Sequence, residues 1–214
     1  MVTLGNRVTL VAGINNTGLV VGLAYLPGAH AVLWRNRKIE DIGKEIPAKQ
    51  SSFIGVNNTG TIVGYSEVNQ EGTRVFVFRN GKFEYLSKNK KCIPRGINKR
   101  NDVVGYQKDK KSDFCEAVLF KEKRMVLLGR LDGRESNAFS INDLGLVVGQ
   151  LTMKNFKQRG FLWHNGKMLD LNGMINRKDI IITAARAINN QNFIVGTAEV
   201  GGKESACLLI PESS

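Results

Sequence analysis

Most of the side chains that do chemistry are scarce in this sequence. Among 214 residues there are two histidines, His30 and His164, and three cysteines, Cys92, Cys115 and Cys207. They are scattered, with no CxxC or HExxH spacing, so nothing supports a zinc site. An odd number of cysteines gives no disulfide framework and is compatible with a reducing compartment. No apolar run approaches the roughly 18 residues that a membrane-crossing helix needs. The start, MVTLGNRVTLVAG, lacks a basic stretch followed by a long apolar segment and a cleavage site, so no signal peptide is read in this chain. No glycine-rich phosphate loop leads from a strand into a helix, and no cofactor is expected. Proline is rare, with 4 residues against 23 glycines, which predicts many tight turns. Acidic residues are outnumbered by basic ones, 19 to 31, for a formal net charge of +12.

What the sequence does have is a repeat. The stretch INNTGLVVG begins at Ile14 and returns as VNNTGTIVG from Val56, INKRNDVVG from Ile97, INDLGLVVG from Ile141 and INNQNFIVG from Ile188. The anchoring asparagines are Asn15, Asn57, Asn98, Asn142 and Asn189, spaced by 42, 41, 44 and 47 residues. A period of about 40–45 residues with four strands per unit points to a β-propeller. Each unit reads as four short strands. The first ends at the Ile-Asn or Val-Asn pair, and the second is the V-V-G run, such as Leu19–Leu26. The third is HAVLW from His30 and its counterparts, and the fourth is KIEDIG from Lys38 and its counterparts. These runs are β-branched and aromatic, and turn residues divide them.

The turn chemistry explains the repeated motif. Three residues after each anchoring asparagine stand Gly18, Gly60, Asn101, Gly145 and Asn192, types that tolerate the positive φ of a tight hairpin. The anchoring asparagine can bond its own backbone two residues on. The closing glycines Gly22, Gly64, Gly105, Gly149 and Gly196 predict a bulge or a close backbone approach. The residues before the Ile-Asn pair, Gly13, Gly55, Gly96, Ser140 and Ala187, are small, as crowded inner strands require. The fifth unit has no fourth strand after LLIPESS, while MVTLGN resembles MVLLGR of the third unit. The expectation is one domain, 1–214: an all-β, five-bladed propeller of four antiparallel strands per blade, closed by the N-terminal strand.

INNTGLVVG followed by HAVLW and a D-[IL]-G ending resembles the HAF repeat family of bacterial proteins. The likeness covers essentially the whole chain and is weakest in the third unit, where Lys99, Arg100 and Glu122 replace turn residues. The resemblance implies a propeller-like fold in a secreted or cell-surface bacterial protein, and it brings no catalytic residues.

The residues themselves offer little catalysis. His30 opens a third strand at a slot shared with Arg74, Glu116, Arg159 and Ser205, which reads as solvent-facing. His164 falls at a hairpin tip, and neither histidine has an evident Ser or Asp partner for nucleophilic catalysis. Asp41 and Asp170 share a slot on the outermost strand, far from where a glycosidase would need facing carboxylates. Cys92 fills a small-polar slot with Thr9, Ser51, Ser136 and Thr183, Cys207 fills an apolar core slot, and Cys115 ends a loop.

The charge is uneven. The segment Ser87–Met125 holds 12 Lys or Arg against 5 Asp or Glu. In a propeller, the loops after the second and fourth strands of a blade share a face, which here would carry Lys88, Lys90, Lys91, Lys108, Lys110 and Lys111. Arg95 and Arg186 share a first-strand slot that would add charge to a central channel. These residues are the candidate anion- or partner-binding site. A solvated lysine-rich pair of loops is the plainer account of the same charge. Lysine outweighs arginine and few aromatics interleave, so nucleic acid is not favoured. The reading is a monomeric, non-catalytic binding scaffold for a protein partner, an acidic glycan or another polyanion. The alternative is a lectin-like carbohydrate-binding module, and a glycoside hydrolase using the channel ranks third.

Overall fold

The computed structural model describes residues 9–26, 28–36, 38–67, 72–87, 91–109, 112 and 114–212. Its strands are β1 (Thr9–Ile14), β2 (Val20–Leu26), β3 (Gly28–Arg35), β4 (Lys38–Asp41), β5 (Gln50–Val56), β6 (Ile62–Glu67), β7 (Thr73–Arg79) and β8 (Lys82–Tyr85). They continue as β9 (Cys92–Ile97), β10 (Val103–Lys108), β11 (Cys115–Lys121), β12 (Arg124–Gly129), β13 (Glu135–Ile141), β14 (Val147–Thr152), β15 (Gln158–His164) and β16 (Lys167–Asp170). The last are β17 (Ile180–Ile188), β18 (Ile194–Val200) and β19 (Lys203–Leu209). The fold is all-β, in five antiparallel sheets whose strands run in sequence order: β1–β4, β5–β8, β9–β12, β13–β16 and β17–β19. The segment 1–8, which the sequence assigns as a closing strand, lies outside the described residues. The chain forms two compact units, Met1–Asn101 and Asp102–Ser214.

The repeated motif is the hairpin between the first two strands of a sheet. Gly18, Gly60, Asn101, Gly145 and Asn192 all have positive φ, between 66° and 88°. A bulge interrupts β1 between Val11 and Gly13, β5 between Phe53 and Gly55, and β13 between Ala138 and Ser140. β17 has one between Ala185 and Ala187. The closing glycine sits opposite. A Cβ at Gly22, Gly64, Gly149 or Gly196 would collide with the carbonyl oxygen of Leu10, Ser52, Asn137 or Ala184. The bulge pushes that carbonyl toward the partner strand, and only glycine leaves room for it.

The anchoring asparagine does more than shape its own turn. Asn15, Asn57, Asn98 and Asn142 are buried. The Oδ1 of Asn57 accepts from the backbone N–H of Thr59 (3.1 Å) and Thr61 (3.0 Å), and from the Thr59 hydroxyl (2.8 Å). Asn15 and Asn142 accept in the same way from residues two and four further on. The amide end then leaves the blade. Asn15 Nδ2 donates to the carbonyl of Asn57 (3.1 Å), Asn57 to that of Asn98 (2.8 Å), and Asn142 to that of Asn189 (3.0 Å). Each of these three asparagines thus stitches its hairpin to the next, using both ends of one buried amide. Where asparagine replaces glycine at the positive-φ position, the stitch doubles: Asn57 Nδ2 also donates to Asn101 Oδ1 (2.9 Å), and Asn142 Nδ2 to Asn192 Oδ1 (2.8 Å).

The first unit packs around Phe53, Phe76 and Phe78 with Leu33, Val21 and Ile62, all buried. The Phe53 and Phe76 rings meet edge to face at 6.0 Å. Fully burying such a side chain stabilises the fold by about 1.5–3 kcal/mol. The small-polar slot also links neighbours: Ser51 Oγ accepts from the Ala31 N–H (3.0 Å) and Ser136 Oγ from the Ala117 N–H (2.9 Å). Cys92 has no hydroxyl to offer at that slot, and Ser87 Oγ accepts from the Val75 N–H (2.8 Å) instead.

Candidate functional site

Of the sequence-derived site, Lys88, Lys90, Lys110 and Lys111 lie outside the described residues. Lys91 is exposed, and its aliphatic stem covers Gly72, where an added Cβ would come within 2.7 Å of Lys91 Cγ. The loop before β9 therefore touches the loop before β7. In the second unit the Arg134 N–H donates to the Thr152 carbonyl (2.7 Å), joining the loop before β13 to the end of β14. Within each unit, then, the loops after second and fourth strands share a face. Lys108 ends β10 opposite Cys115 and is half-buried. Arg95 is exposed on β9. Arg186 is the bulged residue of β17, exposed, with its guanidinium 4.8 Å from the centre of the Phe139 ring. That stacking lies in the weak cation–π range of exposed sites.

His30 departs from its sequence reading. It is not a free surface residue, because its Nδ1 lies 3.1 Å from both carboxylate oxygens of Asp41, with the two side chains only 21% and 13% exposed. The reason is the β3/β4 register, which pairs Val32 with Asp41 and puts residue 30 diagonally beside it. The same slot is filled by a matched pair in other blades. Arg159 Nη1 bonds Asp170 Oδ2 at 2.8 Å, Arg130 Nη2 lies 3.4 Å from Glu116 Oε2, and the Arg74 guanidinium lies 5.9 Å from the Tyr85 ring centre. Aligning residue 30 with residue 41 across the repeats, as a pair, carries this signal; reading each slot alone hides it. The carboxylates and the histidine best placed for chemistry thus fasten outer strands. Among the described residues no three His, Cys, Asp or Glu side chains come together as a metal site.

The cysteines follow their slots. Cys92 is buried, Cys207 is half-buried against the core of the last sheet, and Cys115 opens β11, half-buried. Burial raises the Cys207 thiol above its ordinary pKa, partly offset by a hydrogen bond with the Gly196 backbone. His164 is exposed at its hairpin tip.

Basic hairpin tips in each of the two units went unread in the sequence. The third strands end, and the fourth begin, with basic residues that face each other: Arg35 opposite Lys38, Arg79 opposite Lys82, Lys121 opposite Arg124, and His164 opposite Lys167. All eight are exposed. Like charges directly across a ladder destabilise a hairpin, so folding alone does not favour the three Arg/Lys pairs. In the first unit a groove of about 660 Å³ opens between two of these tips, lined by Arg35, Asn36, Arg79 and Asn80 and by the Asn15 and Asn58 hairpins. Neither arginine has an ion-pair partner among the described residues. The signal in the sequence was the recurrence of a basic residue just before each Asn or Glu tip.

No helix among the described residues is long and apolar enough to cross a membrane. No family model matches the sequence, and no curated protein matches it. Solved structures share its fold. The acylaminoacyl peptidase of Pyrococcus horikoshii, in an orthorhombic crystal form, aligns with a TM-score of 0.60 at 14% identity, over 94% of this chain and 38% of that one. The β-propeller domain of the Trilobed protease from Pyrococcus furiosus, described as having an open velcro topology, aligns with a TM-score of 0.57 at 17% identity, over 89% of this chain and 60% of that one. An acylaminoacyl peptidase in complex with Z-Gly-Gly-Phe-chloromethyl ketone gives 0.51 at 16% identity, over 94% of this chain and 33% of that one. The chain thus spans less than two thirds of each of these proteins, and the likeness is one of fold: a β-propeller-like all-β architecture.

Proposed function

We propose that the chain is a closed five-bladed β-propeller acting as a non-catalytic binding scaffold for an acidic protein partner. The observation that carries the non-catalytic reading is the repeated outer-strand pair. His30, Asp41, Glu116 and Asp170 are each tied to a neighbour that holds two strands together. Groups so engaged brace a scaffold. The acidic partner follows from a net charge of +12 and from basic loops on the face that includes Lys91.

Closure is supported by exposed apolar positions. Val195 is 47% exposed, whereas its counterparts Val21, Val63, Val104 and Val148 are fully buried, and Leu208 opposite it is 54% exposed. A fifth blade adjoining another blade would cover them, and MVTLGN would pair beside β19. Hydrogen exchange tests this: protected amides along β19 are expected, and exchange at loop rates along its outer edge would argue for an open array.

For the function, the protein is titrated with polyglutamate and arrayed neutral glycans at low and high salt. Polyglutamate binding that weakens with salt, and weakens further in Lys91→Glu, is expected. Discrete neutral-glycan binding that survives salt would favour the lectin-like reading instead.

A further inference from the structure

We propose that the groove between the first two β3–β4-type hairpin tips is a saccharide site, taking an acidic sugar unit whose carboxylate or sulfate is held by Arg35 and Arg79. The inference rests on the binding-scaffold reading and adds a ligand class at a place distinct from the lysine loops. Three observations support it.

The first is donor supply. Arg35 and Arg79 end adjacent third strands, exposed and without ion-pair partners among the described residues, and both line the groove. Guanidinium groups are planar forks suited to carboxylate and sulfate oxygens. Asn36 and Asn80, at φ of 51° and 52°, hold their side chains at the rim, and both are exposed. Asn58 uses its Oδ1 to accept from the Asn16 N–H (2.9 Å), which leaves its Nδ2 toward solvent as a donor.

The second is why the groove is open. In the third and fifth hairpins an asparagine stands at the positive-φ position and reaches back to the preceding anchoring asparagine: Asn101 to Asn57, and Asn192 to Asn142. Gly60 holds that position here, so it has no side chain to reach Asn15 Nδ2, and a Cβ at Gly60 would meet nothing within 4 Å. Gly18 and Gly81 on the same groove are equally open. The doubled stitch is missing where the space is.

The third is size and character. About 660 Å³ falls within the range of small-ligand sites and exceeds what a bare oxyanion fills. Amide side chains both donate and accept, which suits ring hydroxyls beside the charged group. Phe78 contributes to the floor but is 7% exposed, so no aromatic face is offered to a stacking base.

The test uses the intact chain and four probes: an oligogalacturonate, a sulfated oligosaccharide, the matching neutral oligosaccharide and inorganic phosphate. Binding is measured by calorimetry for wild type, Arg35→Ala, Arg79→Ala, Gly60→Asn and Lys91→Glu. One or both acidic saccharides should bind, and either arginine substitution should weaken that binding at least tenfold. Gly60→Asn puts into the groove a side chain that two other hairpins accept at a similar positive φ, 66° against 80°, so it should weaken binding at least tenfold while keeping or raising the melting temperature. Lys91→Glu should leave saccharide binding unchanged; it lowers polyglutamate binding only if the scaffold reading holds, so the two fail separately. The inference is overturned if neither acidic saccharide binds, if the neutral sugar or phosphate binds as tightly, or if Gly60→Asn binds like wild type.

Discussion

Replacing Asn57 by aspartate separates the two jobs of the repeated asparagine. The carboxylate keeps the acceptor for the Thr59 and Thr61 N–H groups, so the turn survives. It loses both donated bonds, to the Asn98 carbonyl at 2.8 Å and to Asn101 Oδ1 at 2.9 Å. Two such bonds contribute together about 1–3 kcal/mol. The substitution also sets a buried anionic oxygen against two acceptor oxygens, which adds desolvation and repulsion, for a total of about 2–4 kcal/mol. For a chain of this length that corresponds to a fall in Tm of about 4–16 °C. Asn58→Asp is the control: it makes the same charge change one residue away, at an exposed site where Oδ1 only accepts, from the Asn16 N–H. It should stay within about 0.5 kcal/mol of wild type. Denaturant midpoints at fixed slope, with thermal melts alongside, read both. The pH dependence has a definite sign. Burial and the facing oxygens favour the protonated acid, so the introduced carboxyl has a folded pKa above its unfolded value. The deficit therefore shrinks as pH falls through that folded pKa. If Asn57→Asp matched Asn58→Asp, the asparagine would be a turn former only and the stitching account would fail.

Gly149→Ala should abolish cooperative folding or cost more than about 3 kcal/mol, because its Cβ collides with the Asn137 carbonyl and comes within 2.6 Å of the Phe161 ring; a melt within a few degrees of wild type would refute the bulge argument. The third hairpin tip is Glu122–Lys123, with φ of 49° and 64°, where the second and fourth tips use Asn-Gly (Asn80–Gly81 and Asn165–Gly166). The pair Glu122→Asn, Lys123→Gly should therefore stabilise by about 1–2 kcal/mol, seen as a raised denaturant midpoint. Cys207 should alkylate more slowly in the folded than in the unfolded chain at pH 8. Its raised folded pKa also means that its contribution to stability is complete below the ordinary thiol pKa and is lost as pH rises through the folded value, so Cys207→Ala should flatten the alkaline loss. Arg177 holds the Asp179 carboxyl down to about 2, but both side chains are exposed. Its effect would be present above the ordinary carboxylate pKa and lost as pH falls toward 2, and Asp179→Asn should leave the melting temperature unchanged between pH 5 and 8.

The strands and hairpins could be read from the chain because their causes are local. A positive φ must be met by glycine or asparagine at one position, and a bulge needs glycine at the position facing it, so Gly18 and Gly22 declare their roles without any partner. The stitch could not be read in the same way. Asn15 bonding Asn57 is a relation between units 42 residues apart, and a turn-forming asparagine and a stitching asparagine look identical in one repeat. The difference shows only when two repeats are compared at two positions at once: where Asn101 or Asn192 replaces glycine, it doubles as an acceptor for the preceding unit. The same applies to His30 and Asp41, whose pairing becomes visible beside Arg159 and Asp170. The basic tips were missed for a different reason. Arg35 and Lys38 are three residues apart, and sequence reading counts such residues as turn flanks, but the two-residue hairpin sets them face to face. A repeat protein therefore hides its surface chemistry in the register between strands and its stability in the register between repeats. A position that varies between repeats, glycine at 60 but asparagine at 101 and 192, is where the proposed site can open without loosening the rest.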